Sequence, residues 1–299
     1  MHSACRRWIA HGVVSTRAPG RSRFQQALFD NFKKNSERYR DYEVIAKFIR
    51  LAIPARWRPI GYLEHLVRSR TGGRIPKGPF AGMRYIHTAF GSAYVPKLLG
   101  IYERELNPFI EQACALNFPL IVDVGAAEGY YAIGMALRNP DARVIAFEME
   151  QKGRAALKEM AELNNVTSRV EIRARCKRPD LAQILATSDR ALILCDAEGD
   201  EETLLDPETI PMLAHTHLLV EVHEFVSAGI AERVMKRFAA THKIRRIWQE
   251  DRHRSDLPFA TLGTTLLPRF YLDWSVSEWR PERMSWLWME PRTVNAPAA

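Results

Sequence analysis

From residue 119 onward, short apolar runs alternate with segments whose apolar residues recur at helical spacing. The run at 119–125 is largely apolar, which is typical of a parallel strand buried on both faces. Six of these runs predict strands at 119–125, 143–148, 169–174, 191–196, 217–223 and 243–249. The segments between them predict helices at 130–139, 152–165, 180–188, 201–213 and 230–242. This alternation predicts an open, doubly wound α/β sheet.

The segments before residue 119 have a different pattern. Residues 24–52 place apolar positions at helical spacing with charges between them, so they predict an amphipathic helix. Residues 70–83 are rich in Gly and Pro and predict a linker, and residues 94–116 predict one or two helices interrupted near Pro108. We therefore predict a helical N-terminal extension, residues 1–75, followed by a larger domain, residues 76–299.

Charge separates the same two parts. Residues 1–80 contain 17 of the 43 Lys and Arg residues but only 5 of the 35 Asp and Glu residues, a net charge of +12 against −4 for the rest. The simplest interpretation is a solvated helical extension. A basic segment also suits an acidic partner, such as RNA, another polyanion or an anionic membrane surface. The first 29 residues, with five arginines and no acid, also resemble an organellar transit peptide.

Composition narrows the class of protein. The chain is 46% hydrophobic and 26% charged, which is ordinary for a globular protein. It contains no run of roughly 18 apolar residues, so we predict no transmembrane segment. The four cysteines have no C-x-x-C spacing, which indicates neither a zinc site nor a disulfide framework; they are Cys5, Cys114, Cys176 and Cys195. A reducing, cytoplasmic setting is the prediction.

Ligands of doubly wound sheets bind at the carboxyl ends of the strands, and the first strand ends in "LIVDVGAAEGYYAIG", residues 120–134. Gly125 allows a tight turn, and Gly129 allows the next helix to approach the ligand and the sheet closely. The dinucleotide fingerprint G-x-G-x-x-G is not completed, because Ala127 and Tyr130 stand at its other two positions. Glu128 also puts negative charge where a pyrophosphate would bind.

The loop therefore suits a nucleoside that carries a cation and an amine but no phosphate. S-adenosylmethionine (SAM) has these properties, and NAD does not. Asp123 is placed to orient the amino-acid part of such a ligand. Glu148, at the end of the second strand, is placed to accept both ribose hydroxyls, and Met149 to pack on the adenine face.

The fourth and fifth strands end in polar residues that could act on a second substrate. We predict Asp196, Glu198 and His223 as catalytic candidates, with His223 the general base because its ordinary pKa lies near neutrality. A histidine that merely fills a strand end is the structural alternative. Glu201 begins a helix, where an acid also interacts favourably with the helix dipole. No metal ligand is assigned, although Asp196, Glu221 and His223 could alternatively hold one hard divalent cation.

Four stretches together resemble the FkbM-type methyltransferases, a branch of the class I SAM-dependent methyltransferases: "VDVGAAEGYYAIG", "VIAFE", "CDAEGDEETLL" and "LLVEVH". The family's D-x-E-G-x-E signature matches residues 196–201, and its E-x-H matches Glu221 and His223. The resemblance covers residues 119–225. It implies a mostly parallel, Rossmann-like methyltransferase sheet and methyl transfer from SAM to an oxygen of a sugar or small molecule. The sequence departs from the family pattern after the third strand, where "RARCKRPD" lacks an early acid to bind the adenine amine. A backbone group or Cys176 would have to bind this amine instead.

The predicted function is thus O-methylation of a small-molecule or glycan hydroxyl. A methyltransferase acting on RNA or protein is the alternative that the basic N-terminus suggests, and a non-catalytic SAM-binding module is a third. No N/D-P-P-Y/F motif follows the fourth strand, which disfavours N-methylation of a base or amide. In the C-terminal part we predict a solvated loop at 248–256 and a terminal hairpin that packs four tryptophans against the sheet, Trp274, Trp279, Trp286 and Trp288.

Overall fold

The computed structural model describes residues 58–90, 92–280 and 282–292. The helix predicted at 24–52 and most of the basic extension lie outside these residues. The chain divides into two compact units. The first unit combines the described residues of Met1–Tyr102 with Asp251–Glu282, and the second combines Glu103–Glu250 with the described residues of Arg283–Ala299. A domain boundary at residue 75 stays a prediction.

The second unit contains a seven-stranded sheet. Its strands are β1 (Leu120–Val124), β2 (Arg143–Phe147), β3 (Val170–Arg173), β4 (Ala191–Cys195), β5 (His217–Val222), β6 (His242–Trp248) and β7 (Ser285–Pro291). Their order across the sheet is β3-β2-β1-β4-β5-β7-β6. Neighbours from β3 to β5 are parallel, whereas β7 is antiparallel to both β5 and β6. The predicted doubly wound, mostly parallel, Rossmann-like sheet is confirmed.

The strand order locates the functional end of this sheet. The chain runs outward through β1, β2 and β3, and then continues in the other direction from β4. Because parallel crossovers are right-handed, this reversal puts the two sets of helices on opposite faces. A crevice forms at such a switch point, at the carboxyl ends of β1 and β4. The loops after β1, β2, β4 and β5 therefore surround one site.

Burial on both faces explains the uninterrupted apolar runs. Every residue of β1 and β4 is buried. Side chains from β1, β4 and β5 share one core cluster with the helix that precedes β6, as Val122, Ile193, Val220 and Phe238 illustrate.

Ten α-helices lie within the described residues. They are α1 (Pro59–Thr71), α2 (Tyr94–Leu99), α3 (Asn107–Leu116), α4 (Tyr130–Arg138), α5 (Gln151–Leu163), α6 (Arg178–Leu185), α7 (Glu201–Leu204), α8 (Ile230–Phe238), α9 (Leu262–Leu266) and α10 (Arg269–Val276). None of these helices combines the length and the apolar character that crossing a membrane requires. The helix predicted at 201–213 is wrong beyond Leu204. Pro207 and Pro211 interrupt it, and the segment ends as a 3₁₀ turn, Pro211–His215.

The first unit buries residues that the sequence pattern placed in solvent. The Gly- and Pro-rich stretch predicted as a linker is ordered, and its Ile75 and Met83 are 1% exposed. The predicted solvated loop at 248–256 is wrong for Arg252, whose guanidinium forms a buried ion pair of 2.8 Å with Glu278. Arg252 also donates to the carbonyl oxygen of Ile101 at 2.7 Å. A buried charge is tolerated here because it is paired and hydrogen-bonded.

The tryptophans do not share one terminal hairpin. Trp286 and Trp288 lie in β7, inside the sheet, and are 2% and 0% exposed. Trp274 and Trp279 belong to the first unit, where their rings contact each other and remain more than a third exposed. The prediction was wrong because β7 inserts between β5 and β6 instead of packing on the sheet face.

Candidate functional site

Gly125 joins the ends of the central strands. Its φ of 85° is left-handed, and its N–H donates to the carbonyl oxygen of Phe147 at 2.9 Å. A Cβ atom at this position would lie 1.9 Å from the carbonyl oxygen of Asp196. The glycine is therefore required by the backbone that follows β4, and the loops after β1 and β4 are held in direct contact.

Gly129 is required by helix packing. It caps α4 with a φ of 95°, and a Cβ there would lie 2.2 Å from Cδ1 of Leu157 in α5. Ala127, between the two glycines, also has a left-handed backbone, with a φ of 50°. Such conformations are costly for residues other than glycine and concentrate at functional loops. The loop is thus held in one shape by its neighbours.

The carboxylate of Glu148 closes this loop. Oε2 accepts the N–H of Ala127 at 2.8 Å, and Oε1 accepts the N–H of Glu150 at 2.7 Å. Space for the side chain comes from Gly153 in α5, where a Cβ would lie 2.7 Å from Cγ of Glu148. Burial raises the pKa of Glu148 above its usual value, while the two backbone N–H groups oppose that rise. Each oxygen keeps a further lone pair for a ligand hydroxyl.

The remaining predicted cofactor residues differ in accessibility. Asp123 is 5% exposed at the end of β1, and Met149 is 61% exposed directly after Glu148. Glu128 is fully buried, so contact with a ligand would require its side chain to become accessible. After β3, the thiol of Cys176 is half-buried and burial raises its pKa to about 12, so it is protonated and able to donate. The roles of these residues stay predictions.

Three predicted strand-end residues meet at the ends of β4 and β5. Cys195 pairs with Val220 in the sheet, which brings Asp196 beside Glu221. Glu221 and His223 are two residues apart, so their side chains leave the strand end on the same face. One potential ligand atom each from Asp196, Glu221 and His223 lies within 4.8 Å of the others. Nε2 of His223 is 3.4 Å from Oδ1 of Asp196.

Glu201 completes this cluster. Its Oε1 lies 2.7 Å from Nδ1 of His223, and Glu201 is fully buried. It also accepts the N–H of Gly199 at 3.1 Å. From the sequence, Glu201 was predicted only to lie at a helix start. The contact with His223 is a tertiary one, and the one available signal was that Glu201 ends the D-x-E-G-x-E signature.

The pKa of His223 lies above the value that was expected from the sequence. Burial lowers the pKa, but the hydrogen bond to Glu201 and the charges of Asp196 and Glu221 outweigh burial and raise it to about 10. The imidazole is therefore protonated at neutral pH in this cluster. This raised pKa differs from the pKa near 6–7 that was expected from the unperturbed side chain, and the catalytic role of His223 stays a prediction.

Glu198 lies in the turn between Asp196 and Glu201 and differs from both. Its side chain is exposed, and its φ of 55° is left-handed. Gly199 follows with a φ of 103°, at a position where a Cβ would lie 2.6 Å from Cγ1 of Val226. This tight turn, held by the loop after β5, directs Glu201 back to His223. Catalysis by Glu198 stays a prediction.

The strand order and these loops define a doubly wound α/β protein whose candidate ligand site lies at the switch point of the sheet. No family model and no curated protein matches the chain. Among solved structures, a precorrin-6y C5,15-methyltransferase from Geobacter metallireducens is 11% identical, with a TM-score of 0.37 over 47% of this chain and 74% of that chain. A tRNA methyltransferase from B. subtilis is 14% identical, with a TM-score of 0.34 over 60% of this chain and 64% of its own. The fold itself is established by the strand order and register.

Proposed function

We propose that this protein is a SAM-dependent methyltransferase that methylates a hydroxyl oxygen of a sugar or small molecule. The observation that carries the proposal is that two kinds of loop lie side by side at the carboxyl ends of the strands. The Gly125 loop and Glu148 form a site for a nucleoside without phosphate. Asp196, at the end of β4, touches that loop through its carbonyl oxygen and the polar cluster through its carboxylate.

The residues after β1 and β2 fit SAM. Glu148 is fixed by two backbone N–H groups, so its free lone pairs have a set direction for the two ribose hydroxyls. The exposed Met149 side chain is available to the adenine face. Asp123 and Glu128 add negative charge near the loop, which suits a sulfonium and an ammonium group and opposes a pyrophosphate. Bound SAM would supply an electrophilic methyl group on its sulfonium.

The residues after β4 and β5 are placed to receive the acceptor. The side chain of Asp196 is 42% exposed, whereas that of His223 is 4% exposed. The acceptor hydroxyl therefore meets Asp196 first, and the carboxylate of Asp196, beside the protonated His223, can orient this hydroxyl and take up its proton. Glu201 acts through His223 by holding the ring. Methyl transfer to oxygen releases this proton, so a group that takes it up assists the reaction.

The resemblance of residues 119–225 supports the finer assignment to the FkbM-type branch, through the D-x-E-G-x-E signature at 196–201.

The alternative to this proposal is a methyltransferase with a different class of acceptor. Residues 1–57 contain 12 Lys and Arg residues and 4 acids, the whole net charge of +8, which favours RNA or an acidic protein as the second candidate acceptor.

The test is SAM consumption by the full chain with extracts separated into small-molecule, glycan, RNA and protein fractions. We expect turnover in the small-molecule or glycan fraction. With that acceptor, Asp196→Asn should lower the rate by about 10²–10⁴ and leave SAM affinity unchanged. Asp200→Asn, at an exposed acid in the same turn, is the control and should keep its activity. Turnover with RNA alone would favour the second candidate, and SAM binding without turnover would indicate a binding module.

A further inference from the structure

The ends of β4 and β5 hold a set of donor atoms with the spacing of metal ligands. Nε2 of His223 and Oδ1 of Asp196 are 3.4 Å apart, and a carboxylate oxygen of Glu221 lies within 4.8 Å of both. Metal–ligand distances of about 2.0–2.2 Å place neighbouring ligand atoms roughly 3.0–3.5 Å apart. The atoms of His223 and Asp196 have this spacing, and the oxygen of Glu221 is near enough for a shift of side chains to bring all three onto one ion.

Glu201 prepares His223 for this role. A carboxylate at 2.7 Å from Nδ1 accepts the proton of that nitrogen, so a cation that displaces the other ring proton finds the lone pair on Nε2. Metal-binding histidines usually have such a partner, which fixes the tautomer and the ring orientation. Oε2 of Glu201 is buried and has no hydrogen-bond partner among the described residues. This buried carboxylate oxygen of Glu201 thus takes no part in the hydrogen bonds of the cluster.

The negative charge around His223 also favours binding of a cation. At neutral pH a proton on Nε2 of His223 lies between this nitrogen and the carboxylate of Asp196, 3.4 Å away, and a divalent cation that binds here takes the place of that proton. Three carboxylates surround this one imidazole, and Glu201 and Glu221 among them are buried. Buried charges of one sign are costly unless they are paired or coordinate a metal.

We propose that Asp196, Glu221 and His223 bind one divalent cation, with Glu201 as the positioning residue behind His223. Two carboxylate oxygens favour a hard ion, and one imidazole extends the choice to Mn²⁺ and other first-row ions. Three protein ligands leave open coordination positions. If the proposed function holds, an acceptor hydroxyl that binds at one of these positions has its pKa lowered by the ion. The metal site itself does not depend on SAM or on turnover.

The experiment is a titration of the EDTA-treated, dialysed full chain with MnCl₂, in which free Mn²⁺ is measured by electron paramagnetic resonance without SAM or an acceptor. We expect one saturable site per chain, and displacement of Mn²⁺ by added Mg²⁺ would report competition at it. Asp196→Asn should weaken binding at least about 10-fold, as should Glu201→Gln through the lost orientation of His223. Asp200→Asn, from the same turn, is the control that should bind like the unaltered chain.

Circular dichroism of each variant shows that loss of binding is not loss of fold. Asp196→Asn is the main variant because the side chain is 42% exposed and its replacement leaves the core unchanged. Absence of a stoichiometric site in the unaltered chain would overturn the proposal, as would an equal loss in the Asp196→Asn and Asp200→Asn proteins. Mn²⁺ binding with no methyl transfer would support the metal site while contradicting the proposed function, so the two failures are distinguishable.

Discussion

Glu148 shows how one carboxylate serves both the protein and a ligand. Its two oxygens accept N–H groups from Ala127 and Glu150, so the side chain holds the glycine loop even without a ligand. Its position at a strand end was predictable from the sequence. The two backbone contacts were not, because they depend on the left-handed turn at Ala127, which a residue with a side chain seldom adopts.

We predict that Glu148→Ala weakens SAM binding by about 1–3 kcal/mol, because charge-assisted hydrogen bonds to the ribose are lost. Isothermal titration calorimetry measures the change. Glu150→Gln is the matched control, since it alters an exposed neighbouring acid whose contribution to the loop is its backbone N–H. Equal affinities of the Glu148→Ala and unaltered proteins would place the ribose elsewhere.

Gly153 supports the same carboxylate from α5. We predict that Gly153→Ala weakens SAM binding, because a Cβ at 2.7 Å from Cγ of Glu148 must displace that side chain. The helix itself should be retained, since alanine is the better helix former. A double-mutant cycle by calorimetry checks this prediction. In the Glu148→Ala background, Gly153→Ala should cost nothing, and an undiminished cost there would contradict the steric explanation.

The candidate site was predictable at the strand ends and not within the turns. Asp196 and His223 follow consecutive strands of a parallel sheet, so their approach follows from the fold class. Glu201 reaches His223 through the left-handed turn at Glu198 and Gly199, which no periodic pattern encodes. The pKa of His223 depends on this missed partner, so the sequence alone led to an expected pKa near neutrality that was too low.

All six predicted strands were found, and the signal was clearest for β1 and β4, where complete burial leaves an apolar run. The missed feature was the seventh strand, whose place between β5 and β6 depends on pairing between residues distant in sequence. Trp288 is its most buried large side chain, at 0% exposure, and its Nε1–H donates to Oε1 of Glu290 at 2.6 Å. Its ring contacts those of Phe109 and His217.

We predict that Trp288→Ala lowers the free energy of unfolding by about 3–5 kcal/mol, because it leaves a cavity in the sheet. Urea unfolding followed by far-UV circular dichroism gives the value. Trp248→Ala on the adjacent β6 is the comparison variant, since that side chain is 43% exposed and stacks with Arg246. Trp248→Ala should lower the free energy of unfolding by a clearly smaller amount. Equal losses would mean that β7 does not complete the core.

Charge is unevenly distributed along the chain. Residues 58–299 contain 31 Lys and Arg residues and 31 acids, so they carry no formal net charge, and the +8 of the protein belongs to residues 1–57. A segment of this composition binds polyanions by releasing counterions, and such binding weakens steeply as salt rises.

We predict that the full chain is retained on heparin at low salt and elutes as salt increases. A full-length variant should elute earlier when four basic residues of the N-terminal segment become Gln: Arg6, Arg7, Lys33 and Lys34. The control replaces four exposed lysines of the described region: Lys152, Lys158, Lys236 and Lys243. Equal shifts for the two variants would show that net charge alone, and not the N-terminal segment, governs retention.

The position of β7 has a consequence for the synthesis of this chain. β5 and β6 are not neighbours in the sheet, and the strand that joins them leaves the ribosome after both, following the residues 251–282 that belong to the other unit. Until then, the nascent chain carries open strand edges, which are templates for wrong pairing. Neither unit can be cut from the sequence as one contiguous fragment. Completion of the sheet therefore waits for β7, and we expect the chain to be most open to wrong strand pairing before Pro291 emerges.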